Sequence, residues 1–171
     1  VECLMKAMTF LKDISDLKLV FCASGTKPRI KFLQKLAEKM EISDKLVWNL
    51  RIGQSEVQDW LQGASISLAP LTECERNLVQ GCSPIKIVES MAAVMPVIAS
   101  NRPVTKELLE HNITGWLVRP DRPSELARAI RVLLAHPETL ERIAKTAKEK
   151  VVSSLSWEMS LEQLENVYLK L

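Results

Sequence analysis

Polar and apolar residues alternate along this chain in two rhythms, one with helical spacing and one of short unbroken apolar runs. Leu4, Met8 and Leu11 fall at helical spacing over residues 2–13, and the polar stretch Asp13 to Asp16 then turns the chain into KLVFCA (18–23), a run short enough for a buried strand. Helical spacing returns at Phe32, Leu33, Leu36, Ala37 and Met40 over 28–41, followed by a second strand, KLVWNL (45–50), and a weaker helix over 54–62. ASISLAP (64–70), PVIA (96–99) and GWLV (115–118) are the remaining strand candidates. Ser83 and Pro84 open a helix, the serine expected as its cap and the proline in its first turn; Asp121 and Pro123 repeat that arrangement before Leu126, Ile130, Leu133 and Leu134. Pro137 opens another helix, with Leu140, Ile143, Ala144, Ala147 and Val151 on one face, and a last helix, 158–170, carries Leu161, Leu164 and Tyr168. Strands alternating with long helices require right-handed crossovers, so the expected fold is α/β, a doubly wound parallel sheet forming one domain over 1–171.

In such sheets ligands bind outside the carboxyl ends of the strands, where loops lead into helix N-termini. The loop to watch is LTECERNLVQGCS (71–83), in which Gly81 and Ser83 let backbone N–H groups approach an anion at the start of the next helix. Turning 100° per residue along that helix, Ile85, Val88, Ala92, Met91, Ile87 and Val94 cover about two thirds of its circumference. The remaining wedge holds Lys86, Glu89, Ser90 and Ala93, with Glu89 at its edge against the apolar side. A carboxylate placed there either pairs with Lys86 or another base, or accepts hydrogen bonds from the hydroxyls of a ligand. Spacing alone leaves both open.

Composition narrows the classes. The 171 residues are 47% hydrophobic and 26% charged, and 23 basic against 21 acidic residues leave +2, too little for a polyanion-binding surface, so no nucleic acid is expected. No apolar run is long enough to cross a membrane. Cys3, Cys22, Cys74 and Cys82 form no CxxC pair and the chain has two histidines, so no metal site is expected. Cys22, inside an apolar run, reads as a small buried residue, and four reduced thiols fit a cytoplasmic protein. Glu73 and Glu75 read as a solvated loop pair and His111 as a residue at a helix C-terminus. With no Met at position 1, the chain is expected to be a piece of a longer protein.

The string SPIKIVESMAAVMPVIASNRPVTKELLEHNITGWLVRPDRPSELARAI resembles the C-terminal donor-binding domain of the group 1 glycosyltransferases, the large retaining family 4 with the GT-B fold. Such domains carry Pro-x-Lys-x-x-Glu-x-Met-Ala, here Pro84, Lys86, Glu89, Met91 and Ala92; Pro-Val-Ile-Ala-Ser, here 96–100; Glu-Leu-Leu at 107–109; Thr-Gly-x-Leu-Val at 114–118; and the Asp-x-x-x-Leu-Ala-x-Ala-Ile segment from Asp121. The likeness implies a Rossmann-like half that binds a nucleotide-diphosphate sugar, with Glu89 on the ribose hydroxyls, the backbone of Ser83, Pro84, Ile85 and Lys86 facing the diphosphate or the sugar, and Arg51 near the base. No cofactor is implied. Gly81 stands where the family's Glu, seven residues, Glu motif has its first carboxylate, and Val94 where a Gly is usual. Family members begin this domain with a strand and a loop whose Arg and Lys grip the diphosphate, so the first strand of the sheet is expected to be missing, with Lys6 facing water instead. The acceptor, a sugar, lipid or small molecule, belongs with the N-terminal domain of the same parent chain, and this fragment alone is expected to be inactive. The competing expectations are a non-catalytic binding or assembly module and, less favoured, an epimerase of similar fold, which would need acids and a histidine in the cleft.

Overall fold

A computed structural model describes residues 1–169, without the side chains of Gln54, Arg76 and Leu78. In chain order the elements are α1 (Glu2–Thr9), β1 (Leu19–Ala23), α2 (Lys27–Lys39), a 3₁₀ turn (Ser43–Lys45), β2 (Leu46–Leu50), α3 (Gln54–Gly63), β3 (Ser67–Ala69), a π-helical turn (Arg76–Gln80), α4 (Ile85–Ala92), β4 (Val97–Ser100), α5 (Pro103–Lys106), β5 (Trp116–Val118), α6 (Pro123–Leu134), α7 (Pro137–Ser154) and α8 (Trp157–Tyr168). Every strand expected from the apolar runs forms, and every pairing is parallel. The π-helical turn and α5 carry no periodic apolar signal and were not expected. Lys170, at the end of the last expected helix, lies outside the described residues.

The α/β reading holds, with the strands divided into two sheets. β1 pairs with β2, Leu19 against Leu46 through Ala23 against Leu50, while β3, β4 and β5 form a second sheet in that order. Among the described residues no strand pairing joins the two sheets. Cys22, expected to be buried, is exposed, because successive side chains of a strand alternate and Leu19 and Phe21 take the buried face of β1.

Alternation along β4 explains the two-sided core. Ile98 belongs to one apolar cluster with Met5 and Leu11 near the N-terminus, Phe21 of β1 and Leu126 and Leu133 of α6. Its neighbours Val97 and Ala99 point to the opposite face and join Ile87 and Met91 of α4 with Ala147 and Val151 of α7. A parallel strand buried on both faces needs a continuous apolar run, which Val97, Ile98 and Ala99 supply, all buried along with Ser100.

Several side chains depart from the expected faces. Ile85 is 61% exposed although its spacing put it on the apolar side, whereas Ser90, expected in the open wedge, is 1% exposed. Ser90 tolerates burial because its hydroxyl lies 2.8 Å from Ser67 Oγ and donates to Lys86 O at 2.8 Å. Phe32 is exposed with the Arg29 guanidinium 5.2 Å above its ring. Leu161, Leu164 and Tyr168 are exposed because α8 buries none of its residues. His111 is not in a helix: it forms a bridge with Gly115, and its Nδ1 accepts the Leu117 N–H at 3.0 Å.

Candidate functional site

The carboxyl ends of β1, β3 and β5 converge on one crevice. Arg29, in the first turn of α2 after β1, Thr72, just after β3, and Asp121, just after β5, line an open cavity of about 380 Å³ together with Lys6 and Pro123. Its position between the two sheets is the place where an open α/β fold binds ligands. Lys6 is exposed, as expected, and also forms part of the cavity wall. Arg29 is 2.9 Å from Glu2, another wall residue. Burial, with the Asp121 carboxylate adding to it, pushes the Cys3 thiol in the same wall above its ordinary range.

The loop after β3 contributes Thr72 to this wall and is braced internally. Asn77, 7% exposed, donates from Nδ2 to Thr72 O at 2.9 Å and accepts the Cys82 thiol at 3.5 Å through Oδ1, spanning the π-helical turn. Two further contacts fasten the loop to the sheet edge. Glu73 N–H donates to Asp121 Oδ2 at 3.1 Å, and Glu73 Oε1 sits 2.9 Å from Nη2 of Arg102. Asp121 was expected to cap α6; it instead takes a left-handed backbone conformation, φ 53, and turns its carboxylate to the loop, leaving Arg122 as the cap residue with no side-chain bond.

The residues singled out from the sequence fall into two groups. Gly81, Ser83, Pro84, Ile85, Lys86 and Glu89 lie on the continuous segment from the π-helical turn into α4. Gly81 has φ 77 and ψ 161, a conformation essentially reserved for glycine, so the chain could not carry a glutamate there without strain. Ser83 does not cap α4. The helix starts at Ile85 with Pro84 at the cap position, and the N–H groups of Ile85 and Ile87 are taken by Ser83 O at 2.9 Å and Pro84 O at 2.8 Å. Glu89 is half-buried one turn into the helix, as its place at the wedge edge required. Arg51 stands apart from this segment, at the carboxyl end of β2 in the other sheet, exposed, with φ 65 and its N–H donating to Ala23 O at 3.2 Å.

Arg29, Thr72 and Asp121 escaped the sequence reading as residues of the cavity wall. The buried Arg102, beside the loop's Glu73, had one available signal, a charge two residues after the fully buried strand VIAS, although nothing in the spacing says that its side chain turns inward. Among the described residues no cluster of three or more His, Cys, Asp or Glu could hold a metal, and no helix is long and apolar enough to cross a membrane.

Comparison with known proteins gives a consistent result. The family model described as Glycosyl transferases group 1 matches residues 1–150. The amylovoran biosynthesis glycosyltransferase AmsK of Erwinia amylovora is 29% identical over 119 residues, covering 69% of this chain and 29% of that protein. The alpha-maltose-1-phosphate synthase of Mycobacterium tuberculosis is 28% identical over 168 residues, covering 91% of this chain and 41% of that protein. Among solved structures, Anabaena Alr3699/HepE in complex with UDP-glucose superposes with a TM-score of 0.84 at 18% identity, covering 99% of this chain and 45% of that one. Sucrose-phosphate synthase from Thermosynechococcus elongatus superposes with a TM-score of 0.82 at 21% identity, covering 98% and 42%. This chain therefore spans less than half the length of each of these relatives.

Proposed function

The chain belongs to the group 1 glycosyl transferases, and from that membership we propose that it is the donor-binding half of an enzyme that transfers a sugar, with retention at the anomeric carbon, from a nucleotide-diphosphate sugar to an acceptor. The observation that carries this reading is the crevice between the two sheets, into which the carboxyl ends of β1, β3 and β5 deliver Arg29, Thr72 and Asp121.

In this reading Glu89 accepts hydrogen bonds from the ribose hydroxyls, since a vicinal diol offers two donors to two carboxylate oxygens. The segment Ser83 to Lys86 faces the diphosphate or the transferred sugar, and Arg51 approaches the base from the other sheet. Charge accumulates on the leaving diphosphate as the glycosidic bond breaks, so cationic groups at the crevice stabilise the transition state more than the ground state. Lys6 and Arg29 are the cations that line it. The acceptor site and the rest of the catalytic groups belong to a preceding domain of the same parent chain, and the 171 residues, acting as one unit, are inactive alone. A cytoplasmic location fits the free cysteines. That HepE was solved with UDP-glucose supports a nucleotide-sugar ligand for this shape of domain.

A second reading has its own observation. The backbone at Gly81 would strain a glutamate at the first position of the motif, which favours a module that keeps the fold and has lost catalysis. Thermal unfolding of the complete parent protein with UDP, GDP, ADP and their common sugar conjugates separates the two, with Glu89→Ala alongside. Ligand at a hundredfold excess over its dissociation constant adds about 2.7 kcal/mol. The donor-site reading expects a shift with one nucleotide that disappears in Glu89→Ala; silence of every nucleotide at millimolar concentration would leave the non-catalytic module standing.

A further inference from the structure

Arg102 is a cation in an unusual place. It is 7% exposed, two residues after the buried strand β4, and its Nε and Nη2 have no hydrogen-bond partner among the described residues. A buried guanidinium left with unmet donors is costly, and one that served packing alone would have them met by fixed carbonyls of the core. The charge is instead met from the loop side: Nη2 lies 2.9 Å from Oε1 of Glu73, within ion-pair distance though off the line of a hydrogen bond. Glu73 sits on the loop between β3 and α4, and its side chain is 63% exposed.

The two ends of this contact differ in rigidity. The Arg102 backbone is fixed by Thr105, a residue with no exposed surface, whose hydroxyl oxygen accepts the Arg102 N–H at 3.0 Å and lies 2.6 Å from Ser100 O at the end of β4. The base of the guanidinium is therefore anchored to the core. Glu73 depends on what holds it, and a second hold comes from Asp121 beyond β5, which accepts the Glu73 N–H at 3.1 Å. Downstream of Glu73 the loop is braced to itself through Asn77, and it then runs on through Gly81 and Ser83 to Lys86 at the start of α4.

We propose that Arg102 is a positioning residue for the donor loop: by holding Glu73 from inside the domain it fixes where Gly81 and Ser83 to Lys86 stand, and so sets the affinity for the nucleotide diphosphate. This rests on the donor-site reading above. Asp121 steadies the same point through the backbone, and Arg102 supplies the charge that selects the glutamate. The contact is to a single carboxylate oxygen, so an ammonium of sufficient reach can replace the guanidinium.

The test uses the complete parent protein with Arg102→Met, Arg102→Lys, Glu73→Gln and the double variant Arg102→Met with Glu73→Gln. Two quantities are read: hydrogen exchange of peptides spanning 72–82, without ligand, and calorimetric affinity for UDP, GDP and ADP. The expected result is faster exchange confined to that segment and about a tenfold loss of affinity in each neutralising single variant. The double variant should be no worse than the singles, because the two side chains act as one contact, and Arg102→Lys should recover most of the loss. Unchanged exchange over 72–82 overturns the proposal. So does a loss that adds in the double variant, or exchange that accelerates equally in β4, since either marks Arg102 as a packing residue. If the wild-type protein binds none of the three nucleotides, the donor-site reading falls, and the affinity claim with it. The exchange measurement still decides whether Arg102 orders the loop.

Discussion

At the scale of single residues, Val94 shows how a sequence oddity becomes a structural statement. It follows α4 with φ 58, the left-handed position that helices ordinarily end on with glycine, and it is 46% exposed. A β-branched side chain in that region costs on the order of 1–3 kcal/mol, and its exposure means that little packing is lost on its removal. Val94→Gly should therefore stabilise the fold by about 1 kcal/mol after the extra freedom glycine gives the unfolded chain, read as a higher denaturation midpoint with an unchanged denaturant slope. A lower midpoint would count against the strain. The half-buried position of Glu89 was legible from spacing because a helix repeats its faces. The exposure of Ile85 was not, because one turn at a helix entrance is shaped by the incoming loop rather than by periodicity. Capping by Ser83 failed for a related reason: the cap is decided by where the helix begins, and here that is one residue later than the serine requires.

Elements are joined by charges as well as by apolar faces, and one such joint carries a pH prediction. Arg131 of α6 grips Asp13, in the turn after α1, with Nη1 2.6 Å from Oδ2 and Nη2 2.7 Å from Oδ1, and also donates to Phe10 O at 3.0 Å. The hydrogen bonds from Arg131 hold the Asp13 carboxyl at about 2, below its ordinary 3.8. A carboxyl whose pKa is depressed by folding stabilises the fold above its unfolded value and loses that contribution as pH falls towards the folded one. The melting temperature of Asp13→Asn should thus lie below wild type near neutrality, with the gap closing as pH falls from about 4 to about 2. Both side chains are open to solvent, so 1 M salt should also shrink the gap. A gap that persists at pH 2 would assign the effect to something other than the charge. The same scale shows why α5 and the π-helical turn were missed: four- and five-residue pieces carry no measurable period.

For the whole molecule the apolar surfaces are unevenly used. α6 and α7 bury long stripes, while α8 leaves Trp157, Leu161, Leu164 and Tyr168 exposed on helical spacing. A helix with no fully buried residue is held mainly by its own hydrogen bonds, which open easily in a segment of this length. Hydrogen exchange of this 171-residue chain should show the α8 amides exchanging before those of α6 and α7. Protection of α8 equal to theirs would reveal a stabilising contact that its exposure does not account for.

The order of the strands and longer helices, the parallel α/β class and the place of one carboxylate at the edge of the polar wedge of α4 were determined by the sequence alone, because each rests on a local period or on a residue's chemistry repeated within a few turns. The family resemblance extended that reading, through motifs written in contiguous residues. What only tertiary structure decided is long-range. The break between the sheets, the meeting of Arg29, Thr72 and Asp121 at one crevice, and the inward turn of Arg102 towards Glu73 join residues far apart in the chain. No local pattern encodes such pairs. They follow from which helix packs on which face of β4, and from the direction in which each loop must then return.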